Sequence, residues 1–201
     1  MKKIFLIIVL FATYTTVCGQ ASSLFGISWE ANFPSNGNYI TKSSYRGGKF
    51  EYRHLFKKNW SVGLAVNWAT YEQYFNRQTF NDESGNNAVT GDFLAQTYQI
   101  PITATVHYYF QGGKMIKPYA GLGIGGQSLV QSLYYNVYVS EDNNWGFVMR
   151  PEAGILISPD QFGYWGFIVG ASYSYATNKT DLVGNTSFKN FGVNIGVVFT
   201  Q

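Results

Sequence analysis

The sequence predicts an all-β protein, a transmembrane antiparallel up-and-down β-barrel of about eight strands. The clearest strand is the last one, where large apolar residues from Phe191 to Phe199 alternate with Gly192, Asn194 and Gly196. A period of two is typical of a β-strand. Glycine and asparagine are too small to form a solvated face, so we expect the apolar row to face lipid. A sheet in lipid must close on itself, because an unpaired edge cannot be satisfied there.

The composition is also typical of a membrane barrel. The chain of 201 residues is 18% aromatic and 12% charged, whereas soluble domains average about 25% charged residues. Membrane barrels carry girdles of aromatic side chains at both interfaces. The length allows one domain of ordinary size.

The N-terminus predicts a cleaved secretory signal peptide over residues 1–19, which leaves 20–201 as the barrel domain. Two lysines precede an apolar run over residues 4–12, and small residues end the segment at Gly19. The apolar run is far shorter than the ~20 residues that a spanning helix needs. This length disfavours a transmembrane anchor.

Cys18 is the only cysteine, and it lies within the predicted leader. A lipoprotein would be acylated at this residue, but Val17 precedes it, where such signals usually carry Gly, Ala or Ser. Because the only cysteine is removed with the leader, we expect no disulfide within the mature chain.

Without the leader the chain carries 12 basic and 11 acidic residues, a net charge of +1. This charge gives no case for binding nucleic acid.

Three strands are predicted in the first third of the chain. The first alternates over residues 25–32, and the second runs to about His54 with apolar and charged residues on opposite faces. The third alternates from Trp60 to Trp68. Tryptophans at both ends of its apolar row match the two aromatic girdles of a membrane barrel.

A long polar loop over about 76–92 is predicted before the fourth strand, whose outward row runs from Tyr98 to Phe110. Pro101 cannot donate a ladder hydrogen bond, so we expect a bulge or bend there, and the same at Pro151. The fifth strand has a row of alternate glycines that makes room inside for large side chains from across the barrel: Gly121, Gly123 and Gly125.

A tyrosine-rich loop over about 131–144 leads to the sixth strand, and a polar loop over about 177–187 separates the seventh strand from the eighth. Four longer, polar connections thus alternate with three short ones. Long outer loops and short periplasmic turns produce this alternation in a barrel. Both termini are therefore expected on the side of the short turns.

Several segments carry a resemblance to a known family: Gln99-Ile100-Pro101-Ile102, His107-Tyr108-Tyr109-Phe110, Lys117-Pro118-Tyr119-Ala120-Gly121-Leu122-Gly123, Arg150-Pro151-Glu152-Ala153-Gly154 and the closing aromatic strand. With these segments the chain resembles the small outer-membrane β-barrel domains of the OmpX and OmpA-transmembrane kind and of the PorT-like kind. The resemblance implies an architecture rather than an activity. Its members serve as structural, adhesive, transport or lipid-modifying proteins.

The alternation of residues places six charged side chains inside the barrel: Glu30, Lys49, Glu51, Arg53, Arg150 and Glu152. An eight-stranded barrel is just wide enough to be filled by side chains, which favours a hydrogen-bonded interior plug. We expect Glu51, Arg53, Arg150 and Glu152 to form one closed, paired network. A selective ion path, the alternative, would need a ring of one sign or a wider lumen.

Few residues suggest chemistry at a catalytic or metal site. His54 and His107 lie on opposite faces of their strands, so they should not meet in a metal pair or a catalytic unit. The segment 81–87 is rich in oxygen ligands but lacks the ordered acidic spacing of a calcium loop. We predict no catalytic residue, no metal and no cofactor.

Three tyrosines in the loop over 131–144 suit a binding surface: Tyr134, Tyr135 and Tyr138. Aromatic side chains give a large contact area at low entropic cost. The same residues could equally extend the hairpin above the membrane.

The leading hypothesis is a non-enzymatic small barrel in the outer membrane of a Gram-negative bacterium, with a filled lumen and loops for surface interaction or envelope integrity. A narrow channel or carrier for small hydrophobic molecules is the second hypothesis, and a lipid-modifying outer-membrane enzyme is the third. The expected partners are membrane lipids, the outer-membrane assembly machinery and an extracellular ligand bound through the loops.

Overall fold

The computed structural model describes residues 23–35, 40–57, 59–81, 88–110, 115–135, 138–158, 164–179 and 187–201. They form eight antiparallel strands that close into a barrel in chain order, as the sequence predicts. The strands are β1 (Ser23–Pro34), β2 (Ser44–Lys57), β3 (Trp60–Asn81), β4 (Ala88–Tyr109), β5 (Ile116–Tyr135), β6 (Tyr138–Ile157), β7 (Trp165–Ala176) and β8 (Phe188–Thr200). None of the described residues belongs to a helix that could cross a membrane.

Several predicted features lie outside the described residues. They are the signal peptide over 1–19, most of the oxygen-rich segment over 81–87 and most of the loop over 177–187. Two of the three predicted short connections, over 111–114 and 159–163, lie outside them as well.

The outer face of the barrel is apolar and the inner face is small or polar. In β8, Ile195 is 53% exposed, whereas its neighbour Asn194 is 4% exposed. Along the whole of β7 exposed and covered residues alternate, starting with the exposed Trp165. The closing strand pairs with β1 from Leu24 to Pro34, which completes the ring and leaves no unpaired edge at the seam.

The strands differ in length, and the difference makes one side of the barrel taller. β3, β4, β5 and β6 have 20 to 22 residues, whereas β1, β2, β7 and β8 have 12 to 14. The predicted loops over 76–92 and 131–144 are therefore wrong in extent, because strands occupy most of both. At the top of the first tall hairpin, Thr79 Oγ1 lies 2.7 Å from Thr90 Oγ1 across the strands.

The strands are strongly staggered around the ring. Starting from Phe25 and moving from each residue to its cross-strand partner on the next strand, one passes through Tyr52, Leu64, Ala104, Ile124, Met149, Tyr175 and Lys189. The carbonyl of Lys189 accepts a hydrogen bond from Ser35 N, so one circuit ends ten residues beyond Phe25. A stagger of this kind tilts the strands and lets residues that are distant in register face each other inside.

Of the bulge or bend predicted at Pro101 and at Pro151, the bulge does not occur at either residue. Pairing of β3 with β4 stops at Val66 and Ile102 and resumes at Ala69 and Gln99 in the same register. The interruption follows from the missing N–H of proline, and no residue is inserted. The ladder of β6 with β7 skips the residues around Pro151 in the same way.

A bulge does occur between β1 and β2, where three steps along β2 oppose two along β1 between Glu30 and Asn32. The carbonyl of Tyr45, within the bulge, accepts a hydrogen bond of 2.8 Å from the indole N–H of Trp29. The two rings also stack, with centroids 6.5 Å apart. A tryptophan on the lipid-facing side thus has its one polar group satisfied by the bulge.

Candidate functional site in the barrel interior

The six charged residues that the sequence assigns to the interior all lie inside the barrel and are buried. Lys49, Glu51 and Arg53 are alternate residues of β2 and are 2% exposed or less. Glu30 comes from β1, and Arg150 and Glu152 come from β6. The structure divides them into two groups at different heights.

The lower group, nearer the chain termini, is centred on two carboxylates that share two cations. Lys49 Nζ lies 2.8 Å from Oε2 of both Glu51 and Glu152. The guanidinium of Arg53 donates to Glu51 Oε2 at 2.8 Å and to Glu152 Oε1 at 3.2 Å. Because β2 and β6 are four strands apart in either direction around the ring, these contacts cross the full width of the lumen.

Three further side chains complete this group. His107 Nε2 contacts Glu152 Oε1, and Arg53 Nη1 donates to the hydroxyl of Tyr109 at 3.1 Å. The guanidinium of Arg53 also lies 4.6 Å from the ring centroid of Tyr119. The alternation of residues in β4 and β5 indicates that these three side chains face inward, but alternation alone does not tell which inward residues touch each other.

His107 fits because Gly121 stands opposite it. A Cβ atom on Gly121 would lie 2.3 Å from Cδ2 of His107, far inside a normal contact. Gly121 thus makes room for a large side chain, as predicted, but that side chain comes from the neighbouring strand β4 and not from across the barrel. His54 lies outside the lumen near the lower end, where Nδ1 is 3.4 Å from Ser23 Oγ.

The upper group pairs Arg150 with Glu30. Arg150 Nη2 donates to both carboxylate oxygens of Glu30 at 2.8 Å and to Ser172 Oγ at 2.8 Å. Asn67 Nδ2 donates to Glu30 Oε2 at 2.8 Å. The expectation that Arg150 joins one closed network with Glu51, Arg53 and Glu152 is thus wrong, since the stagger of the strands brings it to Glu30 instead.

A layer of amide side chains lies above the charged groups. Gln99 Nε2 donates to Gln127 Oε1 at 2.8 Å and to Asn190 Oδ1 at 3.3 Å, and Gln127 donates to Asn178 Oδ1 at 3.0 Å. The hydroxyl of Tyr71 donates to Gln99 Oε1 at 3.0 Å. Gln99 and Asn190 belong to β4 and β8, another pair of strands on opposite sides of the ring.

Apolar clusters close the two ends of the interior. The lower cluster comprises Leu24, Tyr109, Tyr119, Leu156, Ile168 and Val198. The upper cluster comprises Ile40, Ala69, Tyr71, Phe93, Ala95, Leu129, Leu133, Val148, Ala176 and Phe188. From end to end, the described interior is a stack of apolar, charged, amide and apolar layers.

The three tyrosines proposed for loop binding lie at the tip of the second tall hairpin, in strands rather than in a loop. Tyr138 is 64% exposed and Tyr134 is 37% exposed. Tyr135 stacks on Tyr138 with centroids 5.7 Å apart and packs against Phe93 at 5.9 Å. Tyr134 and Tyr138 are therefore accessible from outside, while Tyr135 connects the tip to the upper apolar cluster.

The described residues contain no group of three or more His, Cys, Asp or Glu side chains arranged to hold a metal ion.

No family model and no curated protein matches the sequence, whereas several solved structures share its fold. The outer membrane protein OprG from Pseudomonas aeruginosa superimposes with a TM-score of 0.58 at 15% identity, over 90% of this chain and 96% of OprG. Neisserial surface protein A gives 0.53 at 14% identity, over 89% and 95% of the two chains.

Ail, the attachment invasion locus protein of Yersinia pestis, gives a TM-score of 0.52 at 16% identity, over 90% of this chain and 99% of Ail. The chain has the fold of the small outer-membrane β-barrels. The resemblance stated from the sequence is confirmed in this sense, and the predicted outer-membrane location agrees with these neighbours. At identities of 14 to 16% the likeness is one of fold.

Proposed function

We propose that this chain is a small non-enzymatic barrel of the Gram-negative outer membrane, with a lumen closed by its own side chains and tall hairpins that contact the cell exterior or stabilise the envelope. The main support for a closed lumen is the ion pair of Lys49 with Glu152, which joins β2 to β6 across the ring with 2.8 Å between Nζ and Oε2. The contact of Gln99 with Asn190 repeats this span at a higher level.

The balance of charge argues against an ion path. The buried set has three carboxylates and three permanent cations, and each is in an ion pair. Selective conduction usually needs rings of one sign or a wider lumen. A buried pair that spans the lumen would have to separate before an ion could pass, and the loss of one partner is costly in a dry interior.

The tall hairpins are the part of the molecule best suited to an extracellular ligand. They extend beyond the upper ends of the four shorter strands and expose aromatic side chains, including Tyr74 at 59% and Tyr138 at 64%. A hydrogen bond with Asp92 raises the pKa of Tyr74. Exposed aromatic residues on a rigid scaffold are common anchors of binding surfaces.

The bilayer is the first partner, through the apolar outer face, and the assembly machinery is the second, through the closing strand that ends at Phe199 and Thr200. A narrow channel or carrier for small hydrophobic molecules remains the second hypothesis and a lipid-modifying outer-membrane enzyme the third. Such an enzyme could use a Ser–His pair, and Ser23 and His54 are in contact. The distance of 3.4 Å between Ser23 Oγ and His54 Nδ1 is longer than that of a strong hydrogen bond.

Planar-bilayer recording tests the proposal directly. The folded protein should give no steady current, whereas a steady, ion-selective current would refute the closed lumen. Mass spectrometry of lipid A from cells that express the protein tests the enzyme hypothesis, with Ser23→Ala as the matched variant. A modified lipid A that disappears with Ser23→Ala would overturn the non-enzymatic assignment.

A further inference from the structure

Charged residues at the upper end of the barrel are divided between its two sides. On the low side, formed by β7, β8, β1 and β2, the accessible charged residues that the structure describes there are all cations: Lys42, Arg46, Lys179 and Lys189. We name these four residues the cationic rim. The tall side carries mainly carboxylates: Glu72, Asp92, Glu141 and Asp142, with Arg77 as its one described cation.

The cationic rim lies beside aromatic residues at the upper ends of the four shorter strands, which form part of the upper aromatic girdle. Lys189 Nζ is 5.5 Å from the ring centroid of Tyr175, which is 37% exposed on the outer face. Phe33 lies 6.3 Å from Tyr45 and 6.4 Å from Phe191, which places three more rings beside the cations. Aromatic girdles mark the level of lipid headgroups, so the rim lies where headgroup phosphates are.

Strand lengths keep the rim at this level. β7 ends at Ala176 and β8 begins at Phe188, so Lys179 and Lys189 lie within three residues of the barrel wall. Lys42 lies two residues before β2 and Arg46 within it. The carboxylates of the tall side stand on strands of 20 to 22 residues and extend further outward.

The rim keeps a positive charge after its acidic neighbours are counted. Arg46 is paired with Glu72 at 2.8 Å, and both side chains are accessible. Asp181 follows Lys179 by two residues in the sequence. With these two acids set against four cations, a net charge of +2 remains. Among the residues described, no carboxylate forms an ion pair with any of the three lysines of the rim.

We propose that the cationic rim binds the phosphate groups of an anionic lipid in the outer leaflet, with the acyl chains of that lipid packed on the aromatic residues below. This inference rests on the proposed membrane location. Lysine suits this ligand because it is a compact charge on a flexible stem that can reach a phosphate at the interface. A soluble anion would make no contact with the apolar surface that continues below the rim, whereas the acyl chains of a lipid would cover it.

The experiment uses the folded full-length mature barrel in nanodiscs of zwitterionic lipid, titrated with diphosphoryl lipid A and with lipid A from which both phosphates have been removed. The phosphorylated lipid should bind at least tenfold more tightly, and its affinity should fall as salt rises. Lys42→Gln, Lys179→Gln and Lys189→Gln together should weaken binding at least tenfold, since each lysine near an anionic group contributes roughly a factor of five.

Two matched variants remove one cation elsewhere. Arg77→Gln lies on the tall side and Lys117→Gln at the opposite end of the barrel, and both should bind within twofold of the unaltered protein. A shift in gel migration on boiling confirms that every variant is folded.

Several results would overturn the inference. They are equal binding of the dephosphorylated lipid, an equal loss in Arg77→Gln or Lys117→Gln, and saturation of the rim by inorganic phosphate or sucrose octasulfate without competition from lipid A. If the barrel inserts into vesicles and closes its lumen but shows none of the phosphate dependence, this inference alone fails. If it does not insert, the proposed function fails with it.

Discussion

Arg150 Nη2 lies 2.8 Å from both carboxylate oxygens of Glu30, and the two side chains are buried in the middle of the barrel. The pair joins β6 to β1 across the lumen. Ser172 and Asn67 supply the remaining hydrogen bonds of the group. Each charge is tolerated because the other is present, since an unpaired buried charge is strongly destabilising.

The Arg150–Glu30 pair should show a large coupling in a double-mutant cycle. Arg150→Ala should lower the free energy of unfolding by about 3–5 kcal/mol if the site is dry, and by less if water enters. Arg150→Ala combined with Glu30→Ala should recover part of that loss. Urea unfolding in lipid vesicles measures both. The control combines Arg150→Ala with Glu51→Ala, and the same recovery there would contradict the separation of the two groups.

Buried and exposed ion pairs of this protein should differ in their contribution to stability. Glu152→Gln removes one of the two carboxylates that face Lys49 and Arg53, and we expect a loss of about 3–5 kcal/mol. Glu72→Gln breaks the accessible pair with Arg46 and should cost about 1 kcal/mol or less. Adding Lys49→Met to Glu152→Gln should restore neutrality and part of the stability. Equal losses for Glu152→Gln and Glu72→Gln would mean that the lumen is wet.

Alternation in the sequence was sufficient for the wall of the barrel and insufficient for its interior pairs. Every second residue of β2 from Gly47 to Arg53 faces inward, which assigns Glu51 and Arg53 to the same face, and the structure has both there. Which carboxylate Arg150 meets depends on the stagger of ten residues around the ring. That stagger is a property of all eight strands together, and no local pattern contains it.

The tall hairpins were missed for a different physical reason. Above the bilayer both faces of a strand can meet water, so polar residues such as Thr79 and Thr90 replace the apolar row. The period of two then disappears from the hydropathy of the sequence, although the ladder continues to Asn81 and Ala88. Polar composition therefore indicated a loop where the chain forms a sheet.

The orientation of the closing strand predicts opposite effects at adjacent residues. Ile195 faces the bilayer and is 53% exposed, whereas Asn194 faces the lumen and is 4% exposed. Ile195→Arg should cost roughly 2–4 kcal/mol of stability in lipid, because a charge at the middle of the bilayer is poorly solvated. Asn194→Ser should cost far less. Similar losses in urea unfolding would show that the register or the face of β8 is wrong.

The glycines of β5 give a test of interior packing, because Gly121 and Gly126 face opposite sides of the same strand. A Cβ on Gly121 would meet Cδ2 of His107 at 2.3 Å and a backbone oxygen, that of Val106, at 2.9 Å. A Cβ on Gly126 would meet the Trp145 ring at 3.5 Å, an ordinary contact on the outer face.

Gly121→Ala should therefore displace His107 from Glu152 and lower stability by about 1–3 kcal/mol, the usual cost of overpacking. Gly126→Ala should be close to neutral, because the added methyl group fits beside Trp145. Adding His107→Ala to Gly121→Ala removes the contact with the ring but leaves the one with the Val106 oxygen, so Gly121→Ala should cost less in the His107→Ala background than in the unaltered protein. If Gly121→Ala costs the same in the presence and in the absence of the histidine ring, the glycine does not make room for His107.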